Sequence, residues 1–291
     1  MNALQYEAPN TVKKAVALLA KANGKAKVLA GGTDLLVQLR AKMVSPDLIV
    51  DVKKIPQLRK ITVGRDGRIR VGAAVSGAEL GEHARVSEAY PGVVEAVELI
   101  GSTQIQGRAT AIGNLCNASP AADSVPALIA AGAVCTVVGP NGERQVPAEK
   151  IGVSPGRTSL APGEFVVDFV LPARKPRSAD AYLRMIPRTE MDIAIVGAGV
   201  NLSLDGDGVI TEARVALGAV APTVLLVEEA GRALVGGKLD DAALQRLDAA
   251  ARAACRPIDD KRGTITYRTK VAGVLARRAA AIAYERARSK R

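Results

Sequence analysis

The stretch Gly113-Asn114-Leu115-Cys116-Asn117-Ala118-Ser119-Pro120-Ala121-Ala122-Asp123 constrains this chain more than any other. It is rich in small and amide residues, poor in charge, and runs straight into an apolar segment, residues 125–133. A core helix needs no such prelude, and Asn-Ala-Ser-Pro has little packing value. The composition suits a loop whose backbone wraps a polar, phosphate-bearing ligand, because backbone N–H groups must reach phosphate oxygens at close range. A second segment of this kind, Ala30-Gly31-Gly32-Thr33-Asp34, lies upstream. Glycine there lets the backbone approach without a Cβ in the way. A Gly-Gly pair before a helix is more often a plain turn, so the upstream segment carries weight only with its partner. Two such loops in one chain suggest one bound dinucleotide, with Asn114 adding an amide and Asp123 placed to accept from ribose hydroxyls.

The surrounding pattern alternates strands and helices. Thr11 is placed to cap a helix in which Val12, Ala15, Val16 and Leu19 recur at helical spacing before Gly24 stops it. Residues 27–30 read as a strand running into Gly31-Gly32, and Thr33 as the cap of a second helix through Leu35, Leu36 and Leu39. Residues 48–52 read as a strand. Residues 58–73 read as a hairpin, with Ile61/Val63 and Ile69/Val71 alternating on either side of Gly64-Arg65-Asp66-Gly67. Helical segments are expected near 78–84 and 92–100, a loop region over 104–123, a helix from about 119 to 131, and strands over 133–138 and 164–171.

Pro172-Ala173-Arg174-Lys175-Pro176-Arg177-Ser178 is the best linker candidate, since neither helix nor strand favours it. Beyond it, three antiparallel strands are expected over 181–186, 193–204 and 209–219, then helices near 224–235, 240–254 and 265–287. Strands followed by helices suggest an α+β domain. The 291 residues allow two or three folded units. The expected division is 1–175, with subdomains of about 1–55 and 56–175, and 179–291.

Composition excludes several function classes. With no Trp, two Phe and five Tyr, the core must be aliphatic. The net charge of +11 falls partly in a tail where Arg277, Arg278, Arg286, Arg288, Lys290 and Arg291 face only Glu285. The remaining charge is dispersed and stacking aromatics are scarce, which argues against nucleic acid and for an acidic partner or solubility. Cys116, Cys135 and Cys255 show no C-x-x-C spacing, which argues against a disulfide framework, zinc or a cysteine-bound iron–sulfur cluster and fits a reducing cytoplasm. No signal peptide and no membrane span are expected. His83, the only histidine, leaves no room for a catalytic triad or a multi-histidine metal site, and reads as part of a solvated helix face. Gly197-Ala198-Gly199-Val200-Asn201-Leu202 lacks the third glycine of a dinucleotide fingerprint. Gly236-Gly237-Lys238-Leu239 is no P-loop and reads as a helix C-terminus.

Five ordered segments match one known family. They are Val28-Leu29-Ala30-Gly31-Gly32-Thr33-Asp34-Leu35-Leu36; residues 109–123; Arg184 with Met191-Asp192-Ile193-Ala194; Ala216-Leu217-Gly218-Ala219-Val220-Ala221-Pro222; and Pro257-Ile258-Asp259-Asp260-Lys261-Arg262-Gly263 with Tyr267-Arg268. Through them nearly the whole chain resembles the flavin-binding medium subunit of molybdenum hydroxylases, the family of bacterial carbon monoxide dehydrogenase and of the xanthine dehydrogenase flavin domain. The resemblance implies a two-subdomain FAD-binding fold of the vanillyl-alcohol-oxidase type, followed by a smaller α+β domain with a three-stranded antiparallel sheet and helices.

It also implies roles. Leu29, Ala30, Gly31, Gly32, Thr33, Asp34 and Leu35, with Thr110, Ala111, Ile112, Gly113 and Asn114, would hold the pyrophosphate of FAD. Asp123 and Val166 fall on the adenosine side, while Ile100 and Arg184 fall near the isoalloxazine. No residue is assigned to proton transfer. The subunit would take electrons from a small subunit carrying two-iron, two-sulfur clusters, beside a large subunit carrying the molybdenum cofactor, in a dimer of heterotrimers, and pass them to an external acceptor. A stand-alone flavin oxidoreductase and a scaffold that has lost FAD are the rival readings. One departure bears on the second rival: the family's loop reads Thr-Ile-Gly-Gly-Asn, and Ile112 replaces a glycine. A β-branched residue is costly there if the position needs positive φ or close approach, and weaker FAD binding is then expected.

Overall fold

The computed structural model describes residues 4–290; Met1, Asn2 and Ala3 of the N-terminal segment and Arg291 of the basic tail lie outside them. The chain opens with β1 (Gln5–Glu7), α1 (Val12–Lys21), β2 (Ala26–Leu29), α2 (Leu35–Arg40) and β3 (Leu48–Asp51). The strands form a small parallel sheet in the order β1-β3-β2. Thr11 caps α1 as its position suggests, its hydroxyl oxygen accepting from the Lys14 N–H at 3.2 Å. Asn23 and Gly24, at φ 44° and 82°, turn the chain out of the helix. Ala15 and Leu19 join a core cluster with Val50, Val52 and Phe165. Helix α2 departs from expectation. Its N-cap position is Asp34, not Thr33, and no side chain caps it.

β4 (Ile61–Val63) and β5 (Ile69–Gly72) form the expected hairpin, with Ile61 opposite Val71 and Val63 opposite Ile69. Short helices follow: α3 (Gly77–Glu82), α4 (Ala84–Ala89), α5 (Pro91–Val97), α6 (Thr103–Gln106), α7 (Ala111–Cys116) and α8 (Ser124–Ala130). Two expectations change here. The region read as a loop, 104–123, contains α7 and part of α6. The helix read from 119 starts at Ser124. Gly113 and Asn114 are poor helix formers and hid α7, whose start is fixed by Thr110: its Oγ1 accepts from the Gly113 N–H at 2.9 Å.

The chain then runs through β6 (Val134–Gly139), β7 (Gly142–Pro147), β8 (Gly152–Ser154), β9 (Arg157–Thr158) and β10 (Phe165–Leu171). An antiparallel sheet forms in the order β4-β5-β10-β6-β7. β7 escaped the sequence reading because only Val146 along it is buried, leaving no apolar alternation. Helices α3, α5, α7 and α8 share one core cluster with Val71, Cys135, Val137, Phe169 and Leu171 of this sheet.

After the linker, β11 (Ser178–Met185), β12 (Val196–Leu204) and β13 (Ile210–Gly218) form the expected antiparallel sheet, and a short fourth strand, β14 (Leu225–Leu226), is added to it. The helix expected over 224–235 shrinks to α9 (Glu228–Arg232). Gly236-Gly237 is not a helix end: the Gly236 N–H donates to Ile210, and the Gly237 carbonyl accepts from it, both at 2.9 Å. α10 (Asp241–Ala254) and α11 (Ile265–Ser289) complete the chain. α11 meets β11 and β12 through Ala272, Ala276, Ala279, Ala280, Ala283 and Ala287, all fully buried. Among the described residues no helix is long and apolar enough to cross a membrane.

The C-terminal sheet packs tightly on α5 and α8. A Cβ on Gly199 would stand 2.6 Å from the Pro126 carbonyl oxygen, and one on Gly92 2.8 Å from the Ala181 nitrogen. Arg174 lies 3.7 Å over the Tyr90 ring and pairs with Asp180, a carboxylate 2 % exposed. Asp180 in turn accepts from the Val93 N–H at 3.2 Å, near the start of α5 where a carboxylate is favoured.

Candidate functional site

A cleft opens between the end of β2 and the start of α7, walled by Ala30, Gly31, Gly32, Thr33, Asp34 and Leu35 on one side and by Thr110, Ile112, Gly113 and Asn114 on the other. Ile100 and Val166 also line it. The two loops approach so closely that a Cβ on Gly31 would lie 2.1 Å from the Arg108 carbonyl oxygen. Gly32 is needed for another reason: its φ is 81°, which side-chain-bearing residues rarely adopt. Lys53 holds the first loop from below, donating from Nζ to the Ala30 carbonyl at 3.0 Å. Asp51 orients Lys53 at 2.8 Å. Burial pushes the Asp51 carboxyl up, but hydrogen bonds from Lys53 and Tyr6 outweigh it and hold the group below its ordinary range.

The absence of a cap on α2 has a chemical consequence. Among the described residues, the backbone N–H groups from Gly31 through Leu35 have no acceptor, and neither do those of Ala111 and Ile112. The first N–H groups of a helix lack an intrahelical partner and are satisfied by a cap, by water or by a ligand. Here two runs of donors meet across one cleft, which suits two linked phosphates. Asp34 is the carboxyl nearest these donors along the chain, and burial raises its pKa.

The remaining expected residues fall in different places. Leu29 and Ala111 are buried beside the cleft without lining it. Asn114 lines it, but its Oδ1 is already occupied, accepting from Ser124 N–H at 3.1 Å and Ser124 Oγ at 2.7 Å. The amide therefore ties α7 to α8. Asp123 and Arg184 do not line the cleft; they pair with each other at 3.0 Å, nearly buried. Arg184 also donates to the Leu99 carbonyl at 2.7 Å, behind the wall formed by Ile100. A pair this close occupies one position, so the two residues do not divide between an adenosine end and a ring end. Burial pushes the Asp123 carboxyl up to about 6, against the opposing effect of Arg184 and Tyr182.

Ile112 resolves differently from the expectation of strain. It lies inside α7 and outside the positive-φ residues. Its side chain is 5 % exposed and belongs to the main core cluster. The expected site residues omit Gln38, Asn117, Gly156 and Leu160, which also line the cleft; Asn117 stands within the 113–123 stretch without a role of its own, and the other three carry no motif, because the fold brings them together from separate elements. Cys116 lines the cleft as well, and burial pushes its thiol up to about 12, so it is not a thiolate nucleophile. His83 stands outside the cleft, partly buried, between α3 and α4.

Comparison with known proteins agrees with this geometry. Residues 2–174 match the family described as the FAD binding domain in molybdopterin dehydrogenase, and residues 181–283 match the CO dehydrogenase flavoprotein C-terminal domain. The carbon monoxide dehydrogenase medium chain of Hydrogenophaga pseudoflava is 33 % identical over 282 residues, covering 97 % of both chains. The xanthine dehydrogenase FAD-binding subunit of Escherichia coli O157:H7 is 34 % identical over 245 residues, covering 84 % of this chain and 82 % of that one. A solved structure of the Hydrogenophaga pseudoflava carbon monoxide dehydrogenase superposes with a TM-score of 0.93 at 34 % identity, covering 97 % of this chain and 98 % of that one. The chain belongs to the family of FAD-binding subunits of molybdenum-containing oxidoreductases that includes the carbon monoxide dehydrogenase medium chains.

Proposed function

We propose that this chain is the electron-transfer subunit of a molybdenum-containing dehydrogenase, taking electrons from an iron–sulfur subunit and passing them to an external acceptor. A large molybdenum-cofactor subunit and a small subunit with two-iron, two-sulfur clusters stand beside it in this reading, in a cytoplasmic dimer of heterotrimers. Residues 1–175 carry the cofactor, and 179–291 form the second domain.

The observation that supports this best is the set of unpartnered donors on the two walls of one cleft, Gly31 to Leu35 on one wall and Ile112 on the other, with that of Ala111 beside it. They fit the diphosphate of FAD: backbone donors there cost no reorganisation and need no side-chain charge. Ile100 and Val166 give the cleft apolar wall on which a flat ring can lie. When bound, the isoalloxazine supplies the redox chemistry, and the protein's part is binding, orientation and local electrostatics. The chain's own groups move no proton in this scheme. The Cys116 thiol stays protonated, and the histidine is elsewhere.

The test is the visible absorption spectrum of the purified chain, with identification of what heat releases. A flavin spectrum and released FAD support the reading. Reduction of that flavin by the iron–sulfur subunit in the assembled complex supports the electron-transfer role. A chain that stays colourless with FAD, alone and assembled, overturns it.

A further inference from the structure

The two loop segments touch twice. At one end Gly31 abuts the Arg108 carbonyl. At the other, the Gln38 side chain donates from Nε2 to Asn117 Oδ1 at 2.9 Å. The unpartnered N–H groups lie between these contacts. Each end of the amide bridge is braced. Gln38 sits in α2, and its carbonyl accepts from the Met43 N–H at 2.9 Å. Asn117 follows α7 directly and donates its N–H to Gly113 at 2.9 Å. The next residue, Ala118, takes φ 51° and is held there by the Gly156 N–H, which donates to its carbonyl at 3.0 Å.

Core packing does not fix α2. The helix has no buried residue, and Leu36 and Val37 on it are more than half exposed. Among the described residues, the bond to Asn117 is the one side-chain hydrogen bond α2 makes to another element. The helix that follows one donor run is therefore tied to the helix that carries the other through these two amides. N–H···O hydrogen bonds keep donor and acceptor within about 2.7–3.2 Å and weaken steeply once the angle at hydrogen falls below about 120°, so the spacing and aim of the two runs govern how well both grip a single diphosphate.

We propose that Gln38 and Asn117 are positioning residues: their hydrogen bond sets the separation of the two donor runs and so slows release of the cofactor. This rests on the FAD reading above. Neither side chain needs to touch the cofactor to do this.

The test uses the full-length chain freed of flavin, titrated with FAD and with ADP, which carries the diphosphate without the ring. Gln38→Ala and Asn117→Ala are each expected to weaken both ligands roughly three- to tenfold, the loss of one ordinary hydrogen bond, and to speed FAD release to match. The double variant should lose no more than the worse single one, because the two residues share one interaction. The length-conserving exchange of Gln38→Asn with Asn117→Gln should recover most of the affinity. Wild-type affinity in either single variant overturns the proposal, and so do additive losses that the exchange fails to repair. A wild-type chain that takes up neither ligand, alone or assembled, overturns the FAD reading itself. That result is separable, because it appears with no substitution made.

Discussion

Arg184 and Asp123 stand 3.0 Å apart with side chains 3 % and 11 % exposed, one from β11 and the other from the start of α8. The pair joins the C-terminal domain to the FAD-binding domain behind the Ile100 wall. Burial is the stronger influence on Asp123, raising its pKa from 3.8 to about 6. A carboxyl raised by folding binds its proton more tightly in the native chain. It contributes stability that is fully present below 3.8 and is lost as pH rises through about 6. The difference is about 3 kcal/mol by the usual conversion. In urea unfolding of the flavin-free chain between pH 4 and pH 7, roughly that share of the pH dependence should vanish in Asp123→Asn. An unchanged profile in that variant contradicts the assignment.

Gly31→Ala should harm the protein whether or not cofactor is present. The added methyl would meet a backbone oxygen at 2.1 Å, and backbone cannot step aside as a flexible side chain does. A loss of about 1–3 kcal/mol is expected in the apo chain, with FAD affinity falling as the loops separate. Thermal melts of both forms measure it, and an apo melting temperature equal to wild type contradicts it.

Restoring the family's glycine at position 112 should not improve the site. Ile112 is helical and packed into the core. Ile112→Gly removes that packing and adds backbone freedom, for a loss of about 3–5 kcal/mol. Denaturation together with FAD titration decides the matter: a variant that keeps its stability and binds FAD more tightly shows the isoleucine to be a handicap after all.

Asp180→Ala should separate the two domains' stabilities. It leaves Arg174 buried without its carboxylate and strips an acceptor from Val93. Breaking a buried pair from one side costs about 3–5 kcal/mol. Calorimetry should show unfolding shift to lower temperature or split into two transitions, whereas an exposed pair such as Arg85–Glu88 should tolerate the same treatment within about 0.5 kcal/mol.

Much of the site was legible wherever one local segment carries its own signal. The strand–glycine–helix run at Leu29–Leu35 reads from residue type and order, although the cap expected at Thr33 is absent. The Ile61–Val71 hairpin read from its alternation. What stayed hidden depends on contacts between distant segments. Gln38 and Asn117 are ordinary polar residues until the fold sets their amides together. Arg184 and Asp123 looked like two separate ligands because nothing local announces that β11 and α8 meet. Ile112 looked strained because it stands where the family's loop carries a glycine, and only the cap at Thr110 reveals that its backbone is right-handed.

The alanine face of α11 explains how a chain without tryptophan fills a domain of this kind. Ala272, Ala276, Ala279, Ala280, Ala283 and Ala287 bring the helix axis close to the sheet, and a methyl group has no rotamers to freeze. Ordering this surface therefore loses almost no side-chain freedom, where leucines or methionines would each surrender some. The same closeness makes the face intolerant: an added methylene at any of these positions has to move a whole helix rather than a neighbouring side chain. Variation in α11 should accordingly gather at its exposed positions, Arg277, Arg278, Glu285 and Arg288 among them.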